Sequence, residues 1–141
     1  MFDLPYEKRL QAWREFRGYL ETASDPIQDV INWSNQAQTK EPELYEWSED
    51  LFPEPWELIG ESKYSPLYKT LLICYTLQLT DRFCDTDFEI HISTDTEMPT
   101  EHLYLLRFNK QVIGYEDHAI PASELPNTII SQRVYAITPQ Q

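Results

Sequence analysis

The spacing of apolar residues predicts a pair of helices at the start of the chain. Four large apolar residues recur every three or four positions: Leu10, Trp13, Phe16 and Leu20. Charged residues fill most of the positions between them, which is typical of an amphipathic helix. Asp25-Pro26 begins a second helix, because aspartate caps helix N-termini and proline fits the first turn. We therefore expect a helical hairpin over residues 1–37, with Trp13 and Trp33 in its core.

A longer helix is predicted from Ser65-Pro66, which repeats the signal of a capping residue followed by proline, to about Phe83. Apolar residues cover most of its circumference: Leu67, Leu71, Leu72, Ile73, Cys74, Tyr75, Leu77 and Leu79. A helix of that kind is buried on several sides. We expect it to be the central element of the core, with Cys74 acting as a small apolar residue.

After this helix the apolar residues alternate with polar ones, which indicates strands. Phe88, Ile90 and Ile92 alternate with polar residues, so the first strand is half-buried and His91 is expected on its solvated side. Further strands are predicted over 102–108, 111–115 and 128–137, and a loop with room for one helical turn over 121–126. The tight turn between the second and third strands falls at Asn109-Lys110, because asparagine tolerates positive φ.

Helices first and strands second predict an α+β fold in a single domain, 1–141. We expect an N-terminal helical hairpin and one long buried helix packed on a C-terminal antiparallel sheet of three to four strands. Along the chain, 1–37 forms the hairpin, 38–62 is an acidic aromatic segment, and 63–141 holds the long helix and the sheet.

The charge distribution bears on partners. The net charge is −13, and residues 41–61, here called the acidic strip, hold eight carboxylates and no Lys or Arg. This balance argues against binding to nucleic acid or an anionic membrane, since either needs a basic patch. It permits a basic protein partner, although acidity also simply keeps a protein in solution.

Aromatic residues lie among these carboxylates, and Trp47 is the most informative. Either its segment folds over the core, or Trp47 anchors a partner, as Trp and Tyr often do at interfaces. The residues predicted to bind a partner are Tyr45, Glu46, Trp47, Glu49, Asp50 and Phe52. A homo-oligomer is allowed by the same pattern.

The N-terminus, the longest apolar run and the two cysteines indicate the cellular compartment of the protein. The N-terminus has no basic stretch followed by an apolar run, so we expect no signal peptide. The longest apolar run, 71–75, is too short to cross a bilayer. Cys74 and Cys84 form no CxxC motif, which fits a reducing compartment. These features predict a soluble protein inside a cell.

Catalytic and metal-binding signals are weak. The order of helix, strand and hairpin resembles transglutaminase-like and papain-like cysteine hydrolases, with His102 and Asp117 at the imidazole and acid positions. Their nucleophile position falls near Ser65, where there is no cysteine, and Cys74 lies mid-helix among leucines, where a thiol stays protonated. A metal site at His118 with Asp117, or calcium at the acidic residues of 85–95, lacks ligand spacing. We therefore predict no catalytic, cofactor-binding or metal-binding residues.

Four stretches carry one further resemblance: PWELI at 55–59, LICYTLQLTDRF at 72–83, FEIHI at 88–92 and VIGY at 112–115. They are similar to small uncharacterised proteins of tailed phages, particularly T4-like phages of marine cyanobacteria. The resemblance covers a little under half of the chain and carries over no site residue. It implies a phage protein made in the host cytoplasm, with incorporation into the virion as one outcome.

The sequence thus predicts a non-enzymatic protein–protein interaction module of a tailed phage, either a virion component or an assembly factor. Two alternatives stay open. One is an acidic host-takeover inhibitor that occupies a basic nucleic-acid-binding surface. The other is an inactive relative of the transglutaminase-like hydrolases.

Overall fold

The computed structural model describes residues 1–139, in which helices precede a five-stranded antiparallel sheet. The helices are α1 (Tyr6–Leu20), α2 (Pro26–Ser34), α3 (Pro55–Leu58) and α4 (Pro66–Gln78), with short 3-10 turns at Glu49–Leu51 and Ala122–Glu124. The strands are β1 (Phe88–Asp95), β2 (Met98–Phe108), β3 (Gln111–Ile113), β4 (Ile120–Pro121) and β5 (Ile129–Ile137). The predicted α+β class is confirmed. The chain divides into two compact units, a helical unit of residues 1–85 and a sheet unit of residues 86–139.

The first two helices pair around aromatic side chains, as the sequence predicts. Trp13 and Trp33 are both buried, and the ring of Phe16 stacks on that of Trp33 with centroids 4.8 Å apart. The indole Nε1 of Trp13 donates to Oγ1 of Thr76 over 3.0 Å, which ties α1 to α4. Within this unit Trp13 and Trp33 therefore fill the core, and the buried indole N–H of Trp13 has a hydrogen-bond partner.

The α4 helix ends at Gln78, earlier than the predicted Phe83. The backbone N–H groups of Asp81 and Arg82 donate to the carboxylate of Glu21 at 2.8 and 3.1 Å. Glu21 follows the end of α1, and its carboxylate accepts the two N–H groups. If α4 continued, these N–H groups would instead donate to carbonyls of α4 itself. A sequence pattern cannot foresee that competition, because it depends on a contact across sixty residues.

A buried arginine organises the start of the chain. Arg9 donates to the carbonyls of Phe2, Ile59 (3.0 Å) and Glu61 (2.6 Å). A guanidinium presents five donors in a rigid fork, so one side chain can hold several carbonyls at once. Arg9 thereby fixes the N-terminal residues and the chain after α3 against α1.

The sheet has the strand order β4-β3-β2-β1-β5 over the described residues. It holds five strands and not the predicted three to four, because β4 contains only two residues and has no periodic pattern to reveal it. The β2–β3 hairpin turns at Asn109 (φ 48°) and Lys110 (φ 62°). Two successive positive φ values define the type I′ turn, so the predicted turn is confirmed.

Each face of the sheet carries its own apolar residues. Phe88, Ile90 and Ile92 lie buried on one face. On the other face, Leu105 joins a small cluster with Val112 and Ile120. This second cluster is packed by partly buried residues, several from the chain between β3 and β5: Leu103, Tyr115, Ala122, Leu125 and Ile129.

That second cluster corrects one prediction. His91 is only 8% exposed and lies opposite Leu105 in the β1–β2 ladder, so the expectation of a solvated histidine is wrong. Strand alternation assigns residues to faces correctly, but it does not show that both faces are covered. The covering chain comes from residues far along the sequence.

Candidate functional site

The acidic strip carries large apolar side chains on its surface. Leu44 is 81% exposed, Tyr45 73%, Leu51 61% and Trp56 54%. Scattered exposed apolar residues are ordinary, whereas a contiguous patch of them is unusual on a protein surface. These four exposed residues fall within one short stretch of the chain, 44–56, which is free of Lys and Arg.

Tyr45 is presented by a strained turn. Its φ is 67°, a left-handed conformation that is uncommon for a bulky residue. The N–H of Ser48 donates to the carbonyl of Tyr45 over 3.0 Å, and that of Glu46 to the carbonyl of Glu43 over 3.2 Å. Consecutive tight turns thus direct the Tyr45 ring outward, and strain of this kind is found at functional sites.

Trp56 is held by a residue from the start of α1. The Tyr6 hydroxyl donates to the Trp56 carbonyl over 2.9 Å, and Gly60 leaves room for the Tyr6 ring. The N–H of Glu54 donates to the carboxylate of Glu57 over 3.3 Å at the start of α3. The backbone of Trp56 is therefore fixed while its indole remains more than half exposed.

Glu46, one of the predicted partner-binding residues, is only 6% exposed. Its carboxylate accepts the Ser65 hydroxyl over 2.7 Å and the N–H of Glu43 over 3.2 Å. The Ser65 hydroxyl in turn accepts the N–H of Tyr68 over 3.2 Å and so caps α4. This carboxylate lies at the positive end of the helix dipole, where a negative charge is stabilised.

The other predicted partner-binding residues divide by exposure. Glu49 and Asp50 are exposed in the first 3-10 turn, whereas Trp47 and Phe52 are partly buried and take part in contacts within the protein. Leu44, Leu51 and Trp56 were not in the predicted set, although each is a large apolar residue of the strip. Binding of a partner by these residues stays a prediction.

Lys40 borders the strip and is already paired. Its Nζ lies 2.6 Å from Oε1 of Glu43, and this hydrogen bond raises the pKa of the lysine above its ordinary value. Exposed pairs of this type stabilise a fold only slightly. Its effect on the surface is to neutralise one carboxylate at the strip's edge.

Cys74, His102 and Asp117 are the residues of the hydrolase layout. Burial raises the pKa of the Cys74 thiol far above its ordinary range, as expected for an inert core cysteine. His102 lies opposite Thr94 in the β1–β2 ladder. Asp117 Oδ1 is 2.8 Å from Nδ1 of His118, and this contact lowers the pKa of the carboxyl.

A different set of polar groups meets on the sheet, and the sequence did not single it out. Nδ1 of His91 lies 2.8 Å from Oγ of Ser131, and Nε2 lies 3.1 Å from Oε1 of Glu89. Alternation along β1 places Glu89 and His91 on one face. Nothing in the sequence predicts that Ser131 joins them, because that depends on the register of β5.

Glu89 also borders an open cleft of about 810 Å³ at one end of the sheet unit. Its polar lining includes Asp87, Glu89, Arg107, Lys110 and Gln111, and Phe88 and Phe108 are among its apolar residues. Carboxylates and cations balance in this cleft, unlike in the acidic strip.

Between residues 1 and 139, no three or more His, Cys, Asp or Glu side chains are grouped to hold a metal ion. Over the same residues, no helix combines the length and apolar character needed to cross a membrane. The chain matches no model of a protein family, no curated protein and no solved structure.

Proposed function

We propose that this chain is a protein–protein interaction module whose acidic strip docks on a partner with a basic rim. The observation that supports this most is the exposure of Leu44, Tyr45, Leu51 and Trp56 in a segment without Lys or Arg. Aromatic anchors supply most of the energy at many interfaces, while surrounding charges set orientation and association rate. The strip offers both components in one segment.

The charges define the chemistry of the partner. Glu49 and Asp50 are exposed next to Leu51, and Glu57 is exposed next to Trp56. A partner would need apolar pockets for the anchors, with Lys or Arg placed around them to meet these carboxylates. Like-charged surfaces are excluded by repulsion, which gives the docking its selectivity.

The proposed setting is a tailed phage, with the protein made in the host cytoplasm and acting as a virion component or an assembly factor. The likeness of residues 55–59, 72–83, 88–92 and 112–115 to small proteins of such phages supports this setting. Mass spectrometry of purified virions would test it directly, since a virion component should co-purify at constant stoichiometry through successive gradients.

The docking proposal is tested by paired surface variants. Tyr45→Ser with Trp56→Ser removes two anchors, and Tyr19→Ser is the control, because Tyr19 is 55% exposed outside the strip. Each tagged protein is used to recover partners from infected cells, and recovery is quantified by mass spectrometry. We expect the double variant to lose a partner that the wild type and the Tyr19→Ser control both retain. Equal recovery by all three proteins would refute the proposal.

Salt dependence separates docking from the alternative of an acidic inhibitor of a nucleic-acid-binding surface. Binding through apolar anchors should weaken only modestly as salt rises, whereas a phosphate mimic should lose affinity steeply. Light scattering after size-exclusion chromatography shows whether the partner is a second copy of the chain.

A further inference from the structure

The geometry points to Ser131 as a nucleophile for acyl transfer, activated by His91 and positioned through Glu89. The three side chains form a continuous hydrogen-bonded chain, with contacts of 2.8 and 3.1 Å at the two ring nitrogens. A hydroxyl, an imidazole and a carboxylate in this order make up the arrangement that activates serine in many hydrolases. This inference concerns the sheet unit and is independent of the docking proposal.

The partners of His91 fix its tautomer. A carboxylate can only accept hydrogen bonds, so Nε2 carries the proton in the neutral ring and donates it to Glu89. Nδ1 is then an acceptor for the Ser131 hydroxyl. The ring is therefore oriented so that it can take the serine proton, with the carboxylate placed to stabilise the imidazolium that results.

The three hydrogen-bonded side chains differ in solvent access, as this chemistry requires. His91 is buried, whereas Ser131 is an exposed residue and the side chain of Glu89 is half exposed. The base is thus shielded and fixed in place, and the nucleophile is within reach of a substrate.

The sheet contains a local irregularity at this point. The β1–β5 register shifts between Ile92 and Ser93, so that Ser93 pairs with Ser131 while Gln132 has no Cα partner in β1. Bulges re-aim side chains and are frequent next to active sites. Without the shift, the parity of β5 would direct Ser131 to the opposite face from His91.

A second observation marks the same spot. The hydroxyl of Ser93 is buried and finds no hydrogen-bond partner among the described residues. Ser93 lies directly opposite Ser131 and two residues beyond His91 on the same face. A buried hydroxyl without a partner is unfavourable and uncommon in folded proteins, so its position opposite Ser131 marks this part of the sheet as unusual.

The reaction assigned to this site is ester hydrolysis. Oγ of Ser131 bonds to the carbonyl carbon while its proton moves to Nδ1 of His91. The bond to the leaving alkoxide then breaks, and that alkoxide takes the proton from Nδ1 to leave as an alcohol. Water attacks the acyl-serine, releasing a carboxylic acid and restoring the hydroxyl.

Labelling of the full chain with an alkyl fluorophosphonate tests the assignment. Oγ forms a bond to phosphorus, fluoride leaves, and the proton passes through Nδ1 to solvent. We expect one adduct that maps to Ser131 by peptide mass spectrometry. Ser131→Ala should abolish the adduct, whereas Ser123→Ala, which changes another exposed serine of the sheet unit, should leave it unchanged. Labelling of the wild type no faster than Ser131→Ala would overturn the assignment, as would an adduct at another residue.

Two further variants test the roles of the base and the acid. His91→Gln should slow labelling by at least about 100-fold, the lower end of a general base's contribution. Glu89→Gln keeps an acceptor for Nε2 but removes the charge, so labelling should slow and its pH midpoint should fall. Arg107 on β2 and Arg133 on β5 also carry charge, but both are the same in the wild type and in this variant. A shift in the pH midpoint of labelling therefore reports the loss of the Glu89 charge alone. An unchanged pH profile would overturn the role of Glu89, and that variant can be judged even if His91→Gln fails to fold.

Discussion

Replacing Ser65 with alanine should destabilise the helical unit more than the loss of any ordinary surface serine. The Ser65 hydroxyl makes two bonds at once, accepting the N–H of Tyr68 at the start of α4 and donating to the buried carboxylate of Glu46. Ser65→Ala breaks both bonds. It leaves a helix without its cap and a buried carboxylate with one partner fewer.

The magnitude follows from these two losses. Removing a serine N-cap costs about 0.5–2 kcal/mol, and losing a hydrogen bond to a charged group costs about 1.5–3 kcal/mol. Together they predict a loss of about 2–5 kcal/mol, a large share of the stability of a small domain. Rehydration of Glu46 would move the result toward the lower end of this range.

Urea denaturation followed by tryptophan fluorescence is the suitable assay. All four tryptophans lie in residues 1–85, so the signal reports the helical unit. Ser62→Ala is the control, because Ser62 is exposed and such changes usually stay within about 0.5 kcal/mol. A loss of less than about 0.5 kcal/mol for Ser65→Ala would refute the reasoning. It would show that Glu46 and the α4 N-terminus are satisfied by water.

Three further predictions concern single residues. Burial raises the pKa of Cys74, so a maleimide should modify only the partly exposed Cys84 in the native protein, and rapid double labelling seen by mass spectrometry would contradict this. Gly114→Ala should cost at least about 1 kcal/mol in urea denaturation followed by circular dichroism, because Gly114 has φ 114° and a Cβ would lie 2.5 Å from the Tyr104 carbonyl oxygen. Burial raises the pKa of Tyr64 to about 12 from 10.0, so its contribution to stability is intact below pH 10 and is lost as the pH rises toward about 12. The Tyr64→Phe variant should lose less stability than the wild type over that interval, and parallel curves would rule the effect out.

The features that the sequence predicted are those encoded by neighbouring residues. Ser65-Pro66 begins α4 because the cap and the proline act within one turn, and Asn109-Lys110 forms its hairpin because the turn needs two positive φ values. The alternation in 88–92 likewise assigned β1. In each case the signal and the structure lie within a few residues, so local chemistry is sufficient.

The features that the sequence did not predict depend on distant contacts. Glu46 looked like a surface charge, because nothing near it in sequence shows that Ser65 supplies a buried donor. His91 looked solvated because alternation along β1 does not show that its face also carries an apolar cluster, which includes its cross-strand neighbour Leu105 and the distant Ile120. Ser131 gave no signal, since only the register of β5 brings it to the imidazole.

The two serine–carboxylate networks differ in whether the serine is buried or exposed. In the helical unit, Glu46 and Ser65 are both buried, and the serine is held on both sides by the carboxylate and the helix end. Such a network stabilises the fold and leaves nothing available to react. On the sheet, the chain through His91 ends at the exposed Ser131, beside the unpaired hydroxyl of Ser93. Both networks satisfy a buried polar group, but only the second leaves its serine exposed, and the acyl-transfer proposal depends on that difference.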